Sequence, residues 1–163
     1  EHVSVVSLLP PSPTADPTEL RAAFLESLER WMRKIRKKRR HFVLCGDFGV
    51  AARTLDLEEW HQHNESPGFT QEDRHWIDML LNDIGYVDAF REVFANDAAY
   101  SWFPRPEVFD MPNPGAWRTD LQLASLEISR RILAAGYVSK RRFDDRVPLI
   151  VDYDISVSDE EDD

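Results

Sequence analysis

The sequence predicts an α/β fold, with one sheet and helices packed on one of its faces. Two observations carry this. Strand-like apolar runs recur along the chain, at Val3–Leu9, His41–Cys45, Tyr100–Phe103, Trp117–Ala124 and Pro148–Ile155. Between them lie stretches whose apolar residues repeat at helical spacing and whose starts and stops carry capping chemistry.

The elements follow in order. Val3, Val5, Val6, Leu8 and Leu9 read as a strand that Pro10, Pro11 and Pro13 stop. Asp16-Pro17-Thr18-Glu19 then reads as a helix start, with Asp as cap, Pro at the first helical position and Glu reaching back. Leu20, Phe24, Leu28, Trp31 and Ile35 share one face of the helix expected over about 17–38. The strand ending at Asp47 leads into a long polar loop, 51–68. Thr70-Gln71-Glu72-Asp73 opens a second helix, with Trp76, Ile77, Leu80, Leu81 and Ile84 on its apolar side and Gly85 as its stop. A short helical piece is expected from Val87 to Phe94, and a third helix from Leu126 to Ala135, capped by Ser125 and ended by Gly136. Tyr137–Arg142 and Pro148–Ile155 complete the chain as strands.

With 163 residues, 42% hydrophobic and 31% charged, the chain has the size and composition of about one globular domain. Its apolar runs are too short for a membrane helix, and the N-terminus lacks a signal-peptide pattern. Cys45 has no second cysteine to pair with and reads as core, which suits a reducing compartment. The chain opens on Glu1 rather than Met, so an upstream segment, either a targeting peptide or more protein, is expected to have been removed or left out. That points to an intracellular setting, including an organelle such as the mitochondrion, the nucleus or the cytoplasm.

A net charge of −10 argues against broad nucleic-acid binding, which draws most of its affinity from phosphate contacts. The charge is unevenly spread. Residues 30–40 carry eight basic side chains, and Asp159-Glu160-Glu161-Asp162-Asp163 closes the sequence as a polyanion. The basic run reads first as a solvated helix end that complements its own dipole. Arg33, Lys34, Arg36, Lys37, Lys38, Arg39 and Arg40 are otherwise a candidate surface for RNA, anionic lipid or an acidic protein. Residues 157–163 are expected to form a disordered acidic tail or interaction peptide behind a folded unit spanning 1–156.

Three groups of residues bear on chemistry. His61 and His63 could form a metal pair, but the loop supplies no cysteine and no firm third ligand, so a surface loop is the default. No glycine-rich phosphate loop and no nucleophile with a base nearby in sequence is present. Asp47, Asp120 and Asp145 each stand at or near a strand end, where carboxylates can gather at one rim and hold Mg²⁺ with substrate phosphates. Ordinary turn chemistry accounts for the same placement, and the spacing alone decides neither way.

Six phrases then point to a family. Val43-Leu44-Cys45-Gly46-Asp47-Phe48, Gly68-Phe69-Thr70-Gln71-Glu72-Asp73-Arg74-His75-Trp76, Gly85-Tyr86-Val87-Asp88-Ala89-Phe90-Arg91, Tyr100-Ser101-Trp102-Phe103, Trp117-Arg118-Thr119-Asp120-Leu121 and Asp145-Arg146-Val147-Pro148 occur in that order. Together they resemble the C-terminal half of exonuclease III and its apurinic/apyrimidinic endonuclease relatives, in the endonuclease/exonuclease/phosphatase superfamily. The resemblance implies half of a four-layer α/β sandwich: one mixed, largely antiparallel sheet with helices on its outer face. It also implies that a protein partner, or an attached further half, covers the sheet's inner face.

What the resemblance implies for chemistry is mixed. In the family's Gly-Asp-(Phe/Met)-Asn signature the Asp positions the attacking water and the Asn hydrogen-bonds the scissile phosphate; here Asp47 is kept and Gly49 stands at the Asn position. The closing Ser-Asp-His signature reads Asp144-Asp145-Arg146. A permanently charged guanidinium cannot serve as a base, and general acid–base assistance is typically worth ~10²–10⁴-fold. Leu9 stands where the family has a catalytic tyrosine, while Arg118 and Asp120 match its Arg-Ile-Asp. The residues imply a vestigial site at Asp47, Gly49, Asp120, Asp145 and Arg146, with Arg146 paired to Asp47 or Asp120. On this reading the chain is not an enzyme, needs no cofactor and serves as a structural or interaction subunit of a larger assembly. Two alternatives stand beside it: an Mg²⁺-dependent AP endonuclease or 3′-exonuclease in DNA repair, completed by a missing half, and a non-catalytic RNA-binding subunit.

Overall fold

A computed structural model describes residues 2–155, so the acidic segment expected at 157–163 lies outside the described residues. β1 (Val3–Leu8) is followed by α1 (Thr18–Ile35) and β2 (His41–Asp47), a crossover that sets β1 and β2 parallel. α2 (Gln71–Asn82) leads to the short edge strand β3 (Tyr86–Asp88) and α3 (Ala89–Val93). After α4 (Pro106–Phe109), β4 (Asp120–Ser125) inserts antiparallel between β2 and β3, giving the order β1-β2-β4-β3. β5 (Ile132–Tyr137) and β6 (Leu149–Tyr153) form a separate antiparallel pair. The result is the mixed α/β sheet, largely antiparallel, that the sequence predicts.

Strand alternation divides the core between the two faces of the sheet. Phe42 and Leu44 of β2 and Leu121 and Leu123 of β4 face Leu28, Met32 and Ile35 of α1 and Ile77 and Leu80 of α2. On the other face Val43, Val87 and Ala124 are buried beneath Ile132 and Tyr153 of the β5–β6 pair, with Val3 and Ile155 alongside. That pair covers only part of the face. Val5, Leu133 and Ile150 remain 73%, 67% and 53% exposed.

Local chemistry explains where the elements stop and start. Thr70 caps α2 as expected: its Oγ1 accepts from the Asp73 N–H, and Asp73 reaches back to the Thr70 N–H. Asp16 does not cap α1. Its carboxylate instead accepts from the Ser12 N–H at 2.7 Å, tying the Pro10–Pro13 segment, and α1 begins after Pro17 without a side-chain cap. Of the predicted apolar face, Leu28 and Ile35 are buried with Met32, whereas Leu20 and Trp31 are 54% and 38% exposed.

Three further expectations are corrected. Val87 and Asp88 are strand rather than helix, because Asp88 caps α3 by accepting from the N–H groups of Phe90 and Arg91. The helix expected over 126–135 is a six-residue 3-10 turn, Leu126–Arg131, after which the chain enters β5 and runs through Gly136. Tyr100–Phe103 makes only isolated bridges, Trp102 to Trp117 and Trp102 to Arg146. No helix among the described residues is long and apolar enough to cross a membrane.

Candidate functional site

β2 and β4 run antiparallel with Asp47 opposite Asp120, so the pairing register alone delivers both carboxylates to one rim of the sheet. Each is fixed by its neighbours. Asp47 Oδ1 accepts from the Gly49 N–H at 2.9 Å. The backbone of Asp120 is held from two sides, since its N–H donates to Ser101 Oγ at 3.1 Å and its carbonyl accepts from Tyr137 Oη at 2.7 Å.

Arg146 lies between the two carboxylates. Its Nη2 stands 2.6 Å from Asp47 Oδ2, and its Nη1 donates to Asp120 Oδ2 at 3.0 Å and to Thr119 Oγ1 at 3.1 Å. The guanidinium also sits over the Trp102 ring, 5.0 Å from its centroid. The pairing expected of Arg146 is therefore present, with both aspartates rather than one. Asp145 joins the group more loosely, 3.9 Å from Arg146 Nε, while its Oδ2 accepts from Trp102 Nε1–H at 3.1 Å. Asp144 turns outward and meets Arg105 at 3.3 Å.

Burial pushes the Asp120 carboxyl above the usual carboxylate range. The hydrogen bond from Ser101 opposes this, the charge of Asp47 adds to it, and Arg146 offsets part of it. A cleft of about 120 Å³ opens over Asp47, Gly49, Trp102 and Arg146, with Leu9, Pro10 and Pro13 on its other wall. Larger clefts of about 510 and 590 Å³ lie elsewhere, and none of Asp47, Asp120, Asp145 or Arg146 lines them. The small cleft is the one lined by Asp47 and Arg146.

Gly49 has a backbone reason for being glycine. Its φ is +66°, and a Cβ there would come within 2.9 Å of Pro13 Cδ. Leu9 is 78% exposed at the mouth of the cleft.

The two histidines of the polar loop part company. His61 is exposed, but His63 is fully buried, edge-on to Phe109 and Trp117, with Nδ1 3.0 Å from Ser66 Oγ. A surface-loop reading holds for the first and not for the second. Among the described residues no three His, Cys, Asp or Glu side chains gather as a metal site. At the rim the position between Asp47 and Asp120 is filled by the Arg146 guanidinium, so these residues as arranged do not fit a divalent ion.

Behind the rim lies a network that the sequence reading did not single out. Arg118, fully buried, donates through Nε to Asp56 Oδ1 at 2.6 Å and through Nη2 to Asp88 Oδ2 at 2.6 Å, and Arg91 also pairs with Asp56. It anchors the segment that leads directly into Thr119 and Asp120. Ser101, Trp102 and Thr119, which complete the rim, were legible only as members of the matching phrases.

No family model matches the chain. An exodeoxyribonuclease of Streptococcus pneumoniae is 28% identical over 119 residues, covering 72% of this chain and 43% of that protein. The chain is exonuclease III-like. Two solved structures share its fold. A 3′-5′ exonuclease from Neisseria meningitidis superimposes with a TM-score of 0.80 at 22% identity, covering 93% of this chain and 61% of that one. An AP endonuclease from Archaeoglobus fulgidus does so with a TM-score of 0.76 at 22% identity, covering 94% and 62%. This exonuclease III-like chain thus spans less than half the length of the curated relative it matches. The same findings correct the expectation that it is no enzyme: the relative and the two structural neighbours are named as exonucleases and an AP endonuclease.

Proposed function

We propose that the chain is one half of an exonuclease III-like nuclease directed at phosphodiester bonds of DNA, its other half attached to it or supplied by a partner. The observation that carries this is the rim itself, where register places Asp47 opposite Asp120 and Arg146 reaches both. The similarity to an exodeoxyribonuclease supports it. The partly uncovered sheet face, with Val5 73% exposed, supports a second half that covers it.

The roles follow from the side chains. Asp47, held by the Gly49 N–H, is the acceptor that orients an attacking water over the cleft. Arg146 is the cation for the phosphate. A guanidinium carries five donors in a planar fork, so it can exchange one carboxylate for phosphoryl oxygens and keep the other. Thr119 Oγ1 stands beside it as a further polar contact. As Arg146 cannot take up a proton, any base must be a carboxylate of this rim or come from the other half. A divalent ion is not placed by these residues, and no step is routed through one.

The test is to incubate the chain, together with whatever copurifies with it, with a duplex carrying an abasic site and separately with a duplex bearing a recessed 3′ end, in Mg²⁺. Strand scission of either supports the reading. Binding of RNA without scission of any substrate would remove it.

A further inference from the structure

β3 is an edge strand of the sheet, and a cleft of about 510 Å³ opens beside it. Tyr86 and Val87 of β3 line the cleft together with Ile77 and Leu81 of α2, so part of its surface is apolar. Four arginines line it as well: Arg53 from the segment after β2, Arg74 from α2, Arg91 from α3 and Arg118 from the segment before β4. Its volume lies within the ~300–1,000 Å³ of small-molecule sites.

Donors and acceptors do not balance around this cleft. Arg118 is fully buried, and beyond its bonds to Asp56 and Asp88 its Nη1 has no hydrogen-bond partner. Arg91, whose side chain is 9% exposed, pairs with Asp56 and with the carbonyls of Phe94 and Asp97, and its Nε is left without a partner. Buried N–H groups without an acceptor are rare, because each keeps its desolvation cost uncompensated. Arg74 lies over the Phe69 ring, 4.5 Å from its centroid, and Arg53 donates to the Ala95 carbonyl. Neither cation forms an ion pair among the described residues.

The acids of the cleft, by contrast, are engaged or face water. Asp88 accepts from Arg118 and from the N–H groups of Phe90 and Arg91, Asp78 accepts from Asn82 Nδ2 at 2.7 Å, and Glu92 is exposed. The basic segment 33–40 shows no such imbalance: Arg33 and Arg36 pair with Glu29 and Glu127, and Lys37, Lys38, Arg39 and Arg40 are exposed.

We propose that this cleft is a binding site for a small organic anion, its apolar body against Ile77, Leu81 and Val87 and its carboxylate or phosphate among the arginines. Such a ligand supplies the acceptors that the chain lacks there, in charge-assisted hydrogen bonds. The inference does not depend on the nuclease reading, because none of Asp47, Asp120, Asp145 or Arg146 lines the cleft.

Titration of the full chain with phenyl phosphate and with benzoate, followed by the NMR signals of backbone and arginine Nε–H groups, tests it. Either probe should shift the Arg91 Nε–H and the Leu81 and Val87 amides saturably. Phenyl phosphate should bind ~10-fold more tightly than inorganic phosphate, the effect of burying its ring. Arg74→Gln and Arg53→Gln should each weaken binding ~10-fold, the scale of one lost charge-assisted contact. Shifts confined to the Gly49 amide and the Arg146 Nε–H would place the anions at the rim and overturn the proposal. Inorganic phosphate binding as tightly as phenyl phosphate, an affinity unchanged in both variants, or no shift at all would overturn it too, the last by leaving water as the acceptor.

Discussion

Arg118 shows how a single residue can matter more to the fold than its place in the sequence suggests. It is fully buried, and Asp56 and Asp88, which it pairs with, are 0% and 5% exposed. Burial alone would push the Asp56 carboxyl up, but Arg118 and Arg91 outweigh it and hold that carboxyl below the usual range. Replacing Arg118 by Leu strands Asp88 and weakens the hold on Asp56, so chemical denaturation should show a loss of about 3–5 kcal/mol. The sign of the pH dependence follows. Because Asp56 is lowered in the folded state, its contribution is present above the unfolded value of about 4 and is lost as the pH falls through its folded value. Asp120 is raised and acts in the opposite sense, its ionised form costing stability at neutral pH. Carboxyl titration by NMR should therefore find Asp120 above and Asp56 below the ordinary aspartate. The reverse order would contradict the assignment. None of this was visible in the sequence, since Asp56 is one acid among thirty and its partners lie 35 and 62 positions away.

Elements were most legible where the signal is local. The capping box of α2 and the strand ending at Asp47 needed only neighbouring residues, and both are present. Residues 126–135 were misread because Ser125 and Gly136 look like the cap and stop of a helix, whereas the segment from Ile132 is drawn into a strand by pairing with Leu149–Tyr153. Gly49 was legible as a departure from the family but not in its cause. The sequence showed a lost amide donor; the structure adds a left-handed turn closed by Pro13 from the segment after β1. Gly49 and Pro13 therefore constrain each other. Gly49→Asn in this background should cost about 1–2 kcal/mol through strain against Pro13, and Pro13→Ala should recover part of it. A neutral effect of Gly49→Asn on the thermal midpoint would show that the turn relaxes freely.

For the whole molecule, the fold was predicted more fully than the function. Six ordered phrases were enough to give the mixed α/β sheet and the pairing of Arg146 with the rim carboxylates, though not the element over 126–135. They led to the wrong conclusion about enzymatic character, because each replaced residue was weighed as a loss. The structure instead brings Arg146 against Asp47, Asp120 and the Thr119 hydroxyl at one rim, beside a cleft lined by Asp47 and Arg146. The proposed completion by a second half is supported by the sheet face that β5 and β6 only partly cover. The central claim is that this rim takes part in phosphodiester cleavage. It is tested most directly by measuring single-turnover scission of the abasic duplex in Mg²⁺ with the intact assembly, against the same assembly carrying Asp47→Asn. The account predicts a rate lower by ~10²-fold or more in the variant, the scale of a lost positioned acceptor, with unchanged folding. Equal rates in the two, or scission no faster than the uncatalysed background in both, would contradict it.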